Sequence, residues 1–345
     1  MRLSLIIVIC CLAISVTGPV AFADEPPEST PQEPQKAAEE QKPETWESLY
    51  NDAKEWFQMK QYGTASVVAR KALDLAEKTL SPEDINVAKA QDLLATSLKC
   101  HGRAEEAEQY YSKALVTYKK LLGVDNVTVA AAINNLGEVY SLQGNIDMAH
   151  LNFEQSIAIY RKVAGDRNPE ITKPLKNLAD LNYFRGRYNE AEKLYEEVLS
   201  IMERAENGDS YELVATLNTL AGLYFFHGKY DKAEECCKRA ISICEKSFDK
   251  EHPYYATALN NLGELYDHQG KYAKAEPLYK KAVEIYKKAL GSDHPTVYKV
   301  MMNLSKMYKK MKRDRDAKRY EEEAKRLRFE PQKPSEKSRE QDSGE

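Results

Sequence analysis

Histidines, cysteines and carboxylates are the side chains of this 345-residue chain whose chemistry could be catalytic or metal-binding. The six histidines (His101, His150, His227, His252, His268 and His294) never fall at H-E-x-x-H spacing, which would project two imidazoles from one helical face. His252 and His294 each precede a proline and lie 42 residues apart, which marks them as joint residues rather than ligands. No phosphate-cradling G-x-x-x-x-G-K-[ST] loop, dinucleotide G-x-G-x-x-G or G-x-S-x-G nucleophile elbow is present. The abundant carboxylates read as solvated helix exteriors. The expectation is therefore a chain that is not an enzyme, with no catalytic residues, no metal and no cofactor.

The cysteines add little. Cys237 and Cys244 stand seven residues apart, ~10.5 Å along a helix, which is too far to bridge. Cys237 shares a repeat column with Phe153, Tyr195 and Tyr279, so it reads as a buried apolar residue. Free thiols fit poorly with an oxidising compartment, and the redox state of Cys100, Cys236, Cys237 and Cys244 stays open.

The elements that position these residues repeat with a fixed period. Leu94, Leu136, Leu178, Leu220, Leu262 and Leu304 are each 42 residues apart. The same interval separates Ala65, Ala107, Ala149, Ala191, Ala233, Ala275 and Ala317, and also Gly102, Gly144, Gly186, Gly228 and Gly270. Within one unit the apolar spacing is helical: Leu259, Leu262, Leu265 and Tyr266, an interruption at Gly270, then Tyr272, Ala275, Tyr279, Ala282 and Ile285. Self-similarity at such a period predicts stacked helix pairs. Few glycines and prolines, with 30% charged residues, agree with an all-α chain.

The segments Leu259-Asn260-Asn261-Leu262-Gly263-Glu264-Leu265-Tyr266 and Gly270-Lys271-Tyr272-Ala273-Lys274-Ala275-Glu276 resemble the tetratricopeptide repeat (TPR). The 42-residue unit and its His-Pro joints look like the kinesin light chain type. The resemblance implies a right-handed α-solenoid of about seven units, near 46–87, 88–129, 130–171, 172–213, 214–255, 256–297 and 298–328. The first unit carries Asp52 where Leu is expected, and the last carries Lys312 for Gly; both read as polar caps.

In this family the first helix of each pair lines a concave groove. Carried over, that places Asn134, Asn135, Asn177, Asn218, Asn260, Asn261 and Asn303 on the inner face, where amides can bond a peptide backbone. Tyr183, Phe184, Phe225 and Phe226 follow one turn on as candidate anchors, with interhelix packing as the competing reading. Lys299, Lys306, Lys309 and Lys310 give one end a basic character suited to acidic residues or a C-terminal carboxylate.

The ends are of different composition. Arg2, an uncharged apolar run from Leu3 to Val16 and Ala21-Phe22-Ala23 read as a signal peptide over 1–23, cleaved after Ala23. The run falls short of the ~20 residues of a spanning helix, so no integral membrane segment is expected after cleavage. Residues 24–45, Pro-rich and acidic, and 329–345 lack large apolar residues enough to fold and read as a disordered linker and tail. Asn126-Val127-Thr128 and Asn303-Leu304-Ser305 match a glycosylation acceptor, the latter inside a helix. A formal net charge of −4 excludes a simple basic nucleic-acid binder. The expected function is an exported, periplasmic or extracellular, scaffold or adaptor for a protein or extended peptide in assembly of envelope or secreted complexes. The alternative is a structural or self-associating component that uses lateral surfaces or terminal repeats.

Overall fold

The structure is a computed structural model that describes residues 44–204, 210–247 and 250–326. The signal peptide, nearly all of the linker and the tail lie outside the described residues. Fourteen α-helices and one 3-10 turn make up the ordered elements among them, with no strand.

The described chain falls into two compact units, which meet in sequence near residue 205. The first holds α1 (Trp46–Gln58), α2 (Tyr62–Thr79), α3 (Ile85–Cys100), α4 (Ala104–Leu122), α5 (Val127–Leu142), α6 (Ile146–Ala164), α7 (Thr172–Phe184) and α8 (Tyr188–Arg204). The second holds α9 (Tyr211–Phe226), α10 (Tyr230–Ser247), α11 (Pro253–His268), α12 (Tyr272–Leu290), α13 (Pro295–Lys310) and α14 (Asp314–Arg326). In each, helices pack as consecutive pairs, and the first helix of one pair also touches the first helix of the next. The 42-residue period is thus the period of helix pairs.

Three columns explain why the pairs form. The first starts helices: Asp84, Asn126, Asn168, Ser210, His252 and His294 each stand at an N-cap in extended backbone. Each accepts a hydrogen bond from an amide one turn in, satisfying a donor the helix leaves orphaned. Asp84 Oδ1 takes Asn86 N–H at 2.8 Å, and His252 and His294 take theirs through Nδ1 at 3.2 Å. Asn168 caps the 3-10 turn Pro169–Ile171 that leads into α7. The histidines are joint residues, as their sequence spacing implied.

The second column turns the chain between paired helices. Gly102, Gly144, Gly186, Gly228 and Gly270 all have positive φ, and Lys60 (62°) and Lys312 (58°) adopt the same conformation in the first and last pairs. The third column sets helix distance: none of Ala65, Ala107, Ala149, Ala191, Ala233, Ala275 and Ala317 is more than 1% exposed. Helical glycines tighten two pairs further. A Cβ on Gly137 would sit 2.6 Å from the Phe153 ring, and one on Gly263 would sit 3.1 Å from Tyr279. Aromatic faces occupy the space those side chains vacate.

The last pair ends the second unit as a polar element: of α14 only Ala317 and Ala324 are buried. No described helix is long and apolar enough to cross a membrane.

Candidate functional site

In the first unit the amide columns gather around a carboxylate that the sequence reading did not single out. Glu138 on α5 lies within ion-pair reach of Lys99 on α3 and, at 3.0 Å, of Lys173 on α7. Asn134 Nδ2 donates to it at 2.9 Å, and Asn177 Nδ2 donates both to it at 3.1 Å and to Asn134 Oδ1 at 2.9 Å. Lys173 also reaches Asn135 Oδ1 at 3.3 Å. Burial alone would raise the Glu138 carboxyl, but the two lysines hold it down to about 2. Three first helices are thereby tied into one satisfied polar network. Asp180, at the same register one repeat on, is left high: burial raises it to about 6, against the opposing hydrogen bond from the Tyr195 hydroxyl and the charge of Lys176.

The second unit treats the same columns differently. Asn218 Nδ2 donates to the Tyr254 carbonyl at 3.0 Å, and Asn261 Nδ2 reaches the Asn218 carbonyl at 3.3 Å. The side-chain oxygens of Asn218 and Asn260 are buried with no donor among the described residues. One turn beyond Asn260, Glu264 is half-buried; burial first, then neighbouring Asp267, push it to about 7 despite Lys306 and Lys310. Asn303 sits half-buried inside α13.

The aromatic quartet splits. Tyr183 is buried and rests edge-on against Tyr188, 5.2 Å between centroids, so it packs between α7 and α8. Phe225 is half-buried against Tyr230 and His268 on its own unit. Phe184 and Phe226 are exposed, at 54% and 37%. The lysines split as well. Lys309 pairs with Glu321 at 2.6 Å and Lys310 with Asp267 at 2.8 Å, so both charges are already answered within the chain. Lys299 is half-buried and Lys306 exposed.

The four cysteines of the described residues form no disulfide, and Cys236, Cys237 and Cys244 are buried. Burial pushes the Cys244 thiol up to about 11 and that of Cys237 well above its ordinary range, which keeps both protonated and unreactive. Among the described residues no cluster of metal-ligating side chains forms.

A family model described as tetratricopeptide repeat matches residues 93–162, 170–235, 212–288 and 268–328. The chain belongs to the tetratricopeptide repeat family. Solved structures agree on the fold. A kinesin light chain array of nearly identical TPR-like repeats from Podosopora anserina is 23% identical, covering 60% of this chain and 99% of that one with a TM-score of 0.52. A STAND protein with a tetratricopeptide repeat sensor from Pyrococcus horikoshii is 16% identical, covering 81% of this chain and 42% of that one with a TM-score of 0.66. A Rap protein complexed with competence and sporulation factor is 17% identical, covering 82% and 74% with a TM-score of 0.53. No curated protein matches the chain. The likeness to kinesin light chain-type TPR arrays expected from the joints is thus present in the fold, and a TPR array is a protein-interaction scaffold.

Within this TPR frame the overlooked carboxylates had a visible signal. Two residues after each repeat leucine come Thr96, Glu138, Asp180, Gly222, Glu264 and Lys306, a column on the first helix itself. Acidic residues at three of these six positions stand beside buried leucines rather than on the solvated second helices, and only the register makes that apparent.

Proposed function

We propose that this TPR protein is an exported, non-catalytic scaffold that holds an extended protein segment against its first helices. The observation that carries this reading is the pair of buried amide oxygens, Asn218 Oδ1 and Asn260 Oδ1, left without donors on adjacent first helices. An unsatisfied buried acceptor costs about 1–3 kcal/mol, and a bound segment that donates hydrogen bonds would recover it. The exposed Phe226 ring at the end of α9 offers an apolar anchor on the same helix as Asn218. A Rap protein of similar fold is complexed with competence and sporulation factor, which is in keeping with an array of this fold receiving a binding partner. Export rests on the signal-like residues 1–23, and a role in assembling envelope or secreted complexes follows from that setting.

Affinity capture from the envelope or secreted fraction tests the proposal. Phe225→Ala with Phe226→Ala should abolish capture of a partner while circular dichroism stays unchanged. Retention of every wild-type partner by the folded double variant would overturn it.

A second reading has its own observation. Val67, Val116 and Leu151, on the second helices of the first unit, are 57%, 67% and 57% exposed, an apolar allowance suited to self-association. Light scattering separates the two, because a groove reader is monomeric without its partner.

A further inference from the structure

The second unit answers its inner-face carboxylate differently from the first, and the difference has a chemical sign. Glu138 is served by Lys99, 39 residues before it, and by Lys173, 35 residues after it. The equivalent positions for Glu264 are Phe225 and Lys299. A phenyl ring thus stands in the place of Lys99, while the place of Lys173 keeps a lysine, Lys299. Among the described residues no hydrogen bond or ion pair reaches the Glu264 carboxylate, although it is half-buried.

The charged and titratable groups around Glu264 do not supply a partner. Asp267, on the same helix, is like-charged and is itself held by Lys310 through two contacts of 2.8 and 2.9 Å. Lys306 and Lys310 on α13 both act on Glu264 through space, and among the described residues neither forms an ion pair with it. Tyr279 on α12 and Cys237 on α10 feel its charge and are both buried with raised pKa, so neither can neutralise it.

Asn260 is one turn from Glu264 on α11, 7% exposed, and its Oδ1 has no donor. Asn218, one repeat back on the neighbouring first helix and 2% exposed, offers another donorless Oδ1. Three acceptors therefore lie on two neighbouring first helices, α9 and α11, and no hydrogen bond or ion pair from the described residues reaches any of them. Such a set selects a ligand rich in donors and positive charge.

We infer that Glu264, with Asn260 and Asn218 beside it, is a subsite for a basic side chain, lysine or arginine, of the extended segment bound to the first-helix face. The inference rests on the functional reading above and adds the partner's chemistry. It sets a basic ligand at Glu264 in place of the acidic one expected at the lysines: of Lys299, Lys306, Lys309 and Lys310, the last two are engaged by Glu321 and Asp267. Phe225, in the place of the missing lysine, offers a ring face beside which an aliphatic stem or a guanidinium can lie.

The test selects binders from a random dodecapeptide display library on the full chain, then measures a synthetic winner by fluorescence anisotropy. The inference expects Lys or Arg to be enriched in the winners. Glu264→Gln should weaken the winner at least about tenfold, the loss of one charge-assisted hydrogen bond. Glu284→Gln, at an exposed position on α12, should leave binding unchanged. Winners that are acidic or neutral, or that bind Glu264→Gln as tightly as the wild type, overturn this inference and leave the scaffold reading standing. A library that yields no binder overturns both. Circular dichroism of Glu264→Gln confirms that any loss is not a loss of fold.

Discussion

Glu138 and Glu264 occupy the same register position three repeats apart, yet they are held in opposite electrostatic states. Glu138 lies between Lys99 and Lys173 and is kept far below the usual carboxylate range. Glu264 has Phe225 where Lys99 would be and is pushed to about 7, by burial first and Asp267 second. One column of a repeat thus serves two purposes. In the first unit it stitches three helices together, and in the second it leaves an acceptor unanswered.

The contrast predicts opposite pH behaviour. For Glu264 the folded value lies above the unfolded one, so its contribution is fully present below about pH 4.5 and is lost as pH rises through about 7. Glu264→Gln should therefore stabilise the protein at pH 8, by about 1–3 kcal/mol, and change little at pH 4. For Glu138 the folded value lies below the unfolded one, so its contribution is present above about pH 4.5 and is lost as pH falls through about 2. Urea melts at several pH values check both signs.

Removing Glu138 and Lys99 together should cost less than their separate removals add up to. Glu138→Ala leaves the Lys99 ammonium, whose side chain is 12% exposed, without its partner, and should cost about 3–5 kcal/mol. The double variant Lys99→Ala with Glu138→Ala should cost less than the sum of the singles. A double-mutant cycle by denaturant unfolding measures the difference.

Helical glycines give a prediction against the usual sign. Gly→Ala inside a helix ordinarily stabilises by about 0.5–1 kcal/mol. At Gly137 the new Cβ would meet Phe153 at 2.6 Å, so Gly137→Ala should destabilise by about 1–3 kcal/mol. Gly263→Ala, meeting Tyr279 at 3.1 Å, should cost less. Thermal melts of the two variants establish the order.

Lys60 and Lys312 hold a left-handed turn that the other five pairs give to glycine. Lys60→Gly and Lys312→Gly should each stabilise by about 1 kcal/mol, because the backbone strain of a non-glycine residue there is removed. Gly186→Lys should lose a similar amount. Equilibrium unfolding reads all three.

His294 caps α13 through Nδ1, which can accept only while unprotonated. Burial, and then Lys299, lower its pKa. The cap's contribution should be present above about pH 6.5 and be lost as pH falls through the lower folded value. His294→Asn keeps the cap and should remove this pH dependence, which melts between pH 4 and 8 would show.

The fold was legible because its determinants are columns. The leucines, alanines and turn glycines repeat at 42 residues, and each column does one mechanical task, burial, approach or reversal. The histidine joints were legible as joints for the same reason, although their Nδ1 caps need the local geometry of Tyr254 and Thr296. The candidate site was less legible. The amides could be placed on the first helices from spacing, but whether an amide is spent or free depends on neighbours one repeat away. Asn134 and Asn177 are bound up with Glu138, whereas Asn260 keeps a free oxygen. Tyr183 and Phe184 are adjacent in sequence, and one helical step buries the first and exposes the second. The signal peptide, linker and tail readings concern residues outside those described.

Site-specific photocrosslinking tests the central claim most directly. A benzoylphenylalanine placed at Asn261 or Asn303, on the first helices of the second unit, should crosslink to the captured partner segment. The same group at Glu284, on the second helix α12, should give none. Crosslinks from Glu284 with none from Asn261 and Asn303 would contradict the account and place the interaction on the second helices.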